Sequence, residues 1–183
     1  MIAALLAMSL VAEPALSDRA FDVSLPIGIG WHGRADGAGY DGAFHLGVAG
    51  GFSARETLGW PLRTEVMLST STDGPPWGKG VDAVSVSRLD VDFAFLAGAG
   101  WTLLDEGQRA LGVEALVGPR VRFTEVSAHV YAVTERHLGL ALAAKGLAGV
   151  FSTIGPVRLG LRLGLTAPWD RTIELWLVSG YTF

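Results

Sequence analysis

VRLGLRLGLTA, residues 157–167, is the stretch whose reading decides the fold. Leu159, Leu161, Leu163 and Leu165 occupy alternate positions, with Arg158, Gly160, Arg162, Gly164 and Thr166 between them. Period two is the signature of a β-strand, whose successive side chains leave opposite faces. One face of this strand is all leucine. The other alternates guanidinium groups with glycine.

The same division holds on its neighbours in sequence. Leu89, Val91, Phe93, Phe95, Ala97, Ala99 and Trp101 oppose Arg88, Asp90, Asp92, Ala94, Leu96, Gly98 and Gly100. Phe44, Leu46, Val48 and Phe52 oppose Ala43, His45, Gly47, Ala49 and Gly51. Val113, Ala115, Val117, Val121 and Phe123 oppose Gly112, Glu114, Leu116, Gly118, Arg120 and Arg122. No apolar face carries a charge. Strands are expected at roughly 20–31, 42–53, 61–71, 83–102, 109–123, 136–151, 157–167 and 173–183. Tight turns at Asp105-Glu106-Gly107 and Ile154-Gly155-Pro156 alternate with longer loops at 32–41, 72–82 and 124–135. An even strand count with alternating short and long connections fits an all-β, roughly eight-stranded antiparallel up-and-down transmembrane β-barrel.

Alternation alone does not say which face is inside, and a soluble lipocalin-like carrier would bury the leucines. Glycine decides between the two. Glycine weakens a strand and adds nothing on a wet surface. The interior of an eight-stranded barrel is only wide enough for side chains to fill it, so large charged groups there need small neighbours. The Arg-Gly-Arg-Gly face therefore reads as lumen, and the leucine face as lipid-facing.

Composition agrees. Half of the 183 residues are hydrophobic, 17% are charged, mean hydropathy is +0.39 and there are 25 glycines. A typical soluble domain has about 25% charged residues. No run approaches the ~20 apolar residues of a spanning helix. The net charge of −4 argues against general nucleic-acid binding. The absence of cysteine excludes disulfides and thiolate metal sites.

The inward positions carry Arg63, Arg88, Arg120, Arg122, Lys145, Arg158 and Arg162 against Asp22, Glu65, Asp90, Asp92, Glu114 and Glu174, an excess of one positive charge. Buried charges persist when paired and hydrogen-bonded. A nearly balanced lumen is expected to form a salt-bridged plug.

Residues 1–17 read as a signal peptide: Met1–Ala12 is apolar, and Ala15-Leu16-Ser17 supplies a small-x-small cleavage site. No basic residue precedes the apolar run. Residues 18–183 form the barrel domain. Aromatic residues gather near strand ends at Phe21, Trp31, Phe52, Trp60 and Trp101, as an interfacial girdle requires. The tail ELWLVSGYTF puts Leu175, Leu177, Tyr181 and Phe183 on one face.

That tail is similar to the C-terminal signal by which outer-membrane proteins are recognised for insertion, with Ser179 where an apolar residue is usual. Residues 18–183 resemble the OmpA/OmpX-like class of small eight-stranded outer-membrane barrels. The resemblance implies periplasmic termini and long loops outside the cell. Expected partners are outer-membrane lipid, lipopolysaccharide and the barrel-insertion machinery, with Tyr181 and Phe183 as the insertion signal. The chain is expected to act as a monomer.

Some barrels of this size are lipid A-modifying enzymes. Glu125, Ser127 and His129 lie together in TEVSAHVY, but Ser127-Ala128-His129 reverses the His-x-Ser order of the lipid A deacylases. A polar loop is the plainer reading. His45, among inward glycines and alanines, is expected to hydrogen-bond an Asp or Glu rather than ligate a metal. Asp36, Asp41, Asp73, Asp82, Glu125, Glu135 and Asp170 outnumber Arg34, Lys79, Arg136 and Arg171 in the loops; a simply solvated loop surface is the plainer reading, and divalent-cation bridging to lipopolysaccharide the alternative. Pro26 and Pro119 are expected at strand ends or bulges. Val84 and Val86 have inward parity, which implies a register shift near Ser87 or a strand running past the bilayer. No cofactor and no reaction are implied. The reading is a structural or surface-interaction protein. The alternatives are a narrow pore beside Gly47, Gly98, Gly160 and Gly164, a lipid-modifying enzyme, and a soluble carrier.

Overall fold

The computed structural model describes residues 21–33, 40–54, 62–73, 84–130, 133–167 and 171–183. Residues 1–17, expected to be a leader, and Trp60 lie outside them. The eight strands are β1 (Phe21–Gly33), β2 (Tyr40–Ala54), β3 (Leu62–Asp73), β4 (Val84–Asp105), β5 (Arg109–Val130), β6 (Val133–Ile154), β7 (Val157–Ala167) and β8 (Thr172–Thr182). Each pairs antiparallel with the next, and β1 closes on β8. The expected eight-stranded barrel is the observed one.

Following Cα partners around the barrel from Leu140 on β6, through Phe123 and Val91 and back by Leu177 and Leu161, returns to β6 at Val150. The stagger is ten residues. Such a shear obliges the strands to tilt by about 35–45° to the axis. Glycines with positive φ, Gly107 and Gly155, make the tight turns before β5 and β7.

The leucine face lies outside. Leu159, Leu161, Leu163 and Leu165 are about half exposed, while Arg158, Arg162 and Thr166 are buried in the lumen.

Three local expectations change. Residues 124–130 and 133–135 are strand rather than loop: β5 and β6 pair in unbroken register, with Glu125 opposite Leu138 and His129 opposite Thr134. The alternation that marked the lower strand ends at Glu125, where polar residues take the outward positions, but the backbone ladder continues. Ser127 and His129 therefore stand on a strand, as do Glu125, Glu135 and Arg136.

No register shift occurs near Ser87, since Ser87 pairs with Ser127 and Arg88 with Val126 in sequence. The irregularity lies at the other end of β4, between Thr102 and Leu104. β4 instead runs on beyond its neighbour β3, and Val84 and Val86 lie in that extension.

Pro26 and Pro119 sit in mid-strand without a bulge. Each interrupts pairing on one side only: Pro26 is opposite Val178 but has no β2 partner, and Pro119 is opposite Ala144 but has no β4 partner. A missing N–H costs one ladder bond, and the register of the flanking pairs survives it.

β4, β5 and β6 are each 22 residues long, against 11–15 for the other strands. β3 stops opposite Arg88, and β7 reaches only as far as Ala144. Beyond those rows β4, β5 and β6 are the strands that continue among the described residues, as a wall on one side of the rim.

Candidate functional site

The charged residues of the lumen form two separate groups. At the turn end, Arg63 Nη1 donates to Asp22 Oδ2 at 2.7 Å, and its Nε lies 2.9 Å from Glu114 Oε2. Arg162 bridges two carboxylates, with Nε 2.6 Å from Glu114 Oε1 and Nη2 2.7 Å from Glu65 Oε2. Arg158 Nη2 donates to Glu114 Oε2 at 2.8 Å. Three guanidiniums and three carboxylates close into a neutral cluster in which all six residues are buried. Charge-assisted, partly bidentate bonds of this kind are the strong ones, and they offset the desolvation that isolated ions would suffer.

At the loop end, Arg120 Nη2 and Arg122 Nε share Asp92 at 2.5 and 2.8 Å. Lys145 Nζ and Trp176 Nε1 both donate to Glu174 Oε2, at 2.5 and 2.9 Å. Arg120 Nη1, 3.5 Å from Glu174 Oε1, joins these two groups. Asp90 accepts from Arg88 Nε at 3.0 Å and from Thr124 Oγ1 at 2.6 Å, and lies 3.4 Å from Arg122. Three buried cations face three carboxylates here too. The surplus positive charge is Arg88, whose side chain is 30% exposed at the mouth.

Between the two clusters lies an apolar layer built from Ala49, Met67, Ala94, Leu96, Leu116, Leu147, Trp176 and Val178. Leu96 and Trp176 are completely buried. No ion pair among the described residues crosses this layer. The pattern of charges does not announce it. The signal was present: Leu96 and Leu116 stand at inward positions of otherwise polar faces.

The glycines beside which the alternative narrow pore would run have close neighbours. A Cβ on Gly47 would sit 2.9 Å from Leu68 O, and one on Gly164 would sit 2.8 Å from Glu174 Oε2. At Gly98 it would collide with the Ala115 carbonyl, and at Gly160 it would lie 3.1 Å from Val150 O. Neighbouring backbone and side chains occupy the space that glycine vacates.

His45 also departs from expectation. It is completely buried over Gly30, where any side chain would collide with its Nε2. Neither ring nitrogen has a hydrogen-bond partner among the described residues. Lys145 and Trp176 both donate to Glu174 Oε2, Glu174 Oε1 is left without a hydrogen bond among the described residues and does not reach the imidazole, and the rings of Trp176 and His45 meet edge-on at 5.2 Å. An unpaired buried polar group costs about 1–3 kcal/mol. His45→Leu, close in volume, is therefore expected to stabilise the barrel by about 1–2 kcal/mol, read as a higher urea midpoint. A lower midpoint would mean that the imidazole holds a buried water whose bonds are lost.

His32 stacks on His45 at 5.5 Å, with Arg122 and Thr172 at its Nδ1. No three His, Asp or Glu among the described residues converge so as to hold a metal ion. Ser127 is opposite Ser87 and Arg136, and His129 opposite Ser85 and Thr134, on the wall above the rim. Tyr181 and Phe183 lie side by side with ring centroids 5.1 Å apart, and Phe183 N donates to Phe21 O at 2.8 Å.

No family model and no curated protein matches the chain. Among solved structures it is similar to Ail, the attachment invasion locus protein of Yersinia pestis, at 12% identity with a TM-score of 0.59, covering 90% of this chain and 99% of that one. Neisserial surface protein A is similar at 13% identity and a TM-score of 0.55, covering 89% of this chain and 97% of that one. The outer-membrane enzyme PagL is similar at 15% identity and a TM-score of 0.51, covering 88% and 99%. At such identities the likeness is one of fold: the chain has the architecture of the small eight-stranded outer-membrane barrels.

Proposed function

We propose that this chain is a bacterial outer-membrane barrel with a closed lumen, and that it serves a structural or surface-interaction role on the outside of that lumen. The observation that carries this reading is the interior itself: two balanced ion-pair clusters with an apolar layer between them, under an outer face of Leu, Val, Phe and Ile. A soluble carrier would need the leucine face as its core, and that face points outward. In the proposed setting residues 1–17 are removed as a leader, both termini are periplasmic, and Tyr181 and Phe183 address the chain to the insertion machinery.

The test is conductance. Purified protein in planar lipid bilayers is expected to remain electrically silent; steady conductance that disappears when lumen arginines are replaced would sink the plug. The membrane setting has its own check. Leu161→Arg, at mid-height on the outer face, is expected to cost about 2–4 kcal/mol in a bilayer, measured by folding into lipid vesicles. A cost near zero would mean that water wets this face.

The surface-interaction role draws its support from the wall. Over residues 133–143 β6 has β5 on one side and no strand on the other among the described residues. An open sheet edge presents unpaired N–H and C=O groups on which another chain can pair. No reaction is assigned.

A further inference from the structure

Between Pro26 and His32, β1 sends no side chain into the lumen, because its two inward positions there are Gly28 and Gly30. Two rings from the neighbouring strands fill that space. A Cβ on Gly28 would lie 2.9 Å from Trp176 Cε3 of β8, and one on Gly30 would collide with His45 Nε2 of β2. The imidazole and the indole meet edge-on at 5.2 Å, and His32 stacks on the imidazole at 5.5 Å. His45 is a completely buried wedge laid across the bare backbone of β1.

Packing alone holds the wedge, since neither ring nitrogen has a hydrogen-bond partner among the described residues. A neutral imidazole tolerates this far better than a charged one. A protonated imidazole carries two N–H donors and no acceptor, and a buried charge without partners costs much more than a buried neutral group. The ionisable groups that face it are His32 on β1, Asp90 and Asp92 on β4, Arg120 and Arg122 on β5, Lys145 on β6 and Glu174 on β8. Ser71 is its register partner on β3, and Asp41 stands four residues before it on β2. Arg120, Arg122 and Lys145 already balance Asp90, Asp92 and Glu174 in number, so an imidazolium would set four buried cations against three carboxylates. Glu174 Oε1, left without a hydrogen bond among the described residues, does not reach the ring.

We infer that His45 is an acid-sensitive latch on the loop-end half of the lumen. While uncharged, the ring fills the gap over Gly28 and Gly30 and the half stays closed. To take a proton the ring must leave that gap for water, so acid favours a loosened loop-end half over the closed one. The turn-end cluster lies beyond the apolar layer and consists of arginine, aspartate and glutamate alone, so it keeps its ion pairs and the lumen gains a vestibule rather than a through-path. The inference rests on the closed lumen proposed above. The loosened state binds one proton more than the closed state. Its share therefore rises up to tenfold for each pH unit below about 6.5, the ordinary imidazole value.

The chain contains no cysteine, so a single introduced cysteine reports water at its own position. Ser71→Cys probes the loop-end half beside His45, and Ser24→Cys, two residues from Asp22, probes the turn-end half; both serines are buried. Each variant would be folded into lipid nanodiscs, which leave both mouths open to solvent, and treated with a water-soluble maleimide at pH 7.5, 6.5 and 5.5. Thiol reactivity itself falls with pH, so every rate is divided by that of the same cysteine combined with His45→Leu. Between pH 6.5 and 5.5 this ratio is expected to rise about tenfold at Ser71→Cys and to stay constant at Ser24→Cys. A flat ratio at Ser71→Cys, or an equal rise at both positions, would overturn the latch. The urea midpoints of the wild type and of His45→Leu, without any cysteine, supply the second measurement over the same range. The gap between them is expected to widen on acidification, and a constant or narrowing gap is contrary, because the ring would then take its proton in place. Conductance of the wild type at pH 7.5 tests the closed lumen separately, since a barrel that conducts there fails that reading before any pH profile is scored.

Discussion

Glu114→Leu is expected to destabilise the barrel by about 3–5 kcal/mol, the cost of leaving buried charge uncompensated. Glu114 is the hub of the turn-end cluster, and Arg63, Arg158 and Arg162 all reach its two oxygens within 3 Å. Its removal leaves three guanidiniums sharing Asp22 and Glu65 in a region that side chains already fill. Adding Arg158→Leu restores two against two, so the double variant is expected to recover much of the loss. The urea midpoint of folding into vesicles, read for the wild type, both single variants and the pair, checks this directly. A single-variant loss below about 1 kcal/mol, the range of exposed ion pairs, would mean that water reaches the cluster and the lumen is open.

The second large effect is on permeability. Trp176→Ala combined with Leu147→Ala is expected to turn an electrically silent barrel into one with steady, resolvable conductance. Trp176 is completely buried and Leu147 nearly so, on strands β8 and β6 of the layer between the clusters. Truncating a core tryptophan costs about 3–5 kcal/mol and leaves a cavity. Here that cavity would open onto charged residues at both ends, so water and ions would enter it. The loss of Trp176 also frees one bond to Glu174, loosening Lys145 above. If the double variant folds and stays silent, the ion-pair clusters alone close the lumen and the apolar layer is only packing. Gel mobility before and after boiling distinguishes a silent barrel from an unfolded one.

Much of this interior was legible in advance because a strand writes its two faces in plain alternation. Arg158 and Arg162 could be placed inside from VRLGLRLGLTA alone, and so could Asp90, Asp92, Arg120 and Arg122 from their own strands. The signal failed where its chemistry changed while the backbone did not. At Glu125 and Ser127 the outward residues become polar, so the strand reads as a loop even though β5 and β6 go on pairing to Val130 and Val133. Face-sharing with carboxylates predicts a partner for His45, but parity does not fix the distance, and both ring nitrogens stay without a hydrogen bond among the described residues.

What the sequence determined by itself is inside against outside: side-chain parity is local and needs only the neighbouring residues. What only the tertiary structure decided is height. Arg162 meets Glu65 across 97 residues, and Arg120 meets Thr166 across 46. Those meetings depend on the ten-residue stagger at which the sheet closes on itself. Closure sorts one list of thirteen charges into two clusters, inserts an apolar layer between them, and leaves three strands standing above the rim. No single strand carries that stagger, because it is a property of the whole ring of pairings.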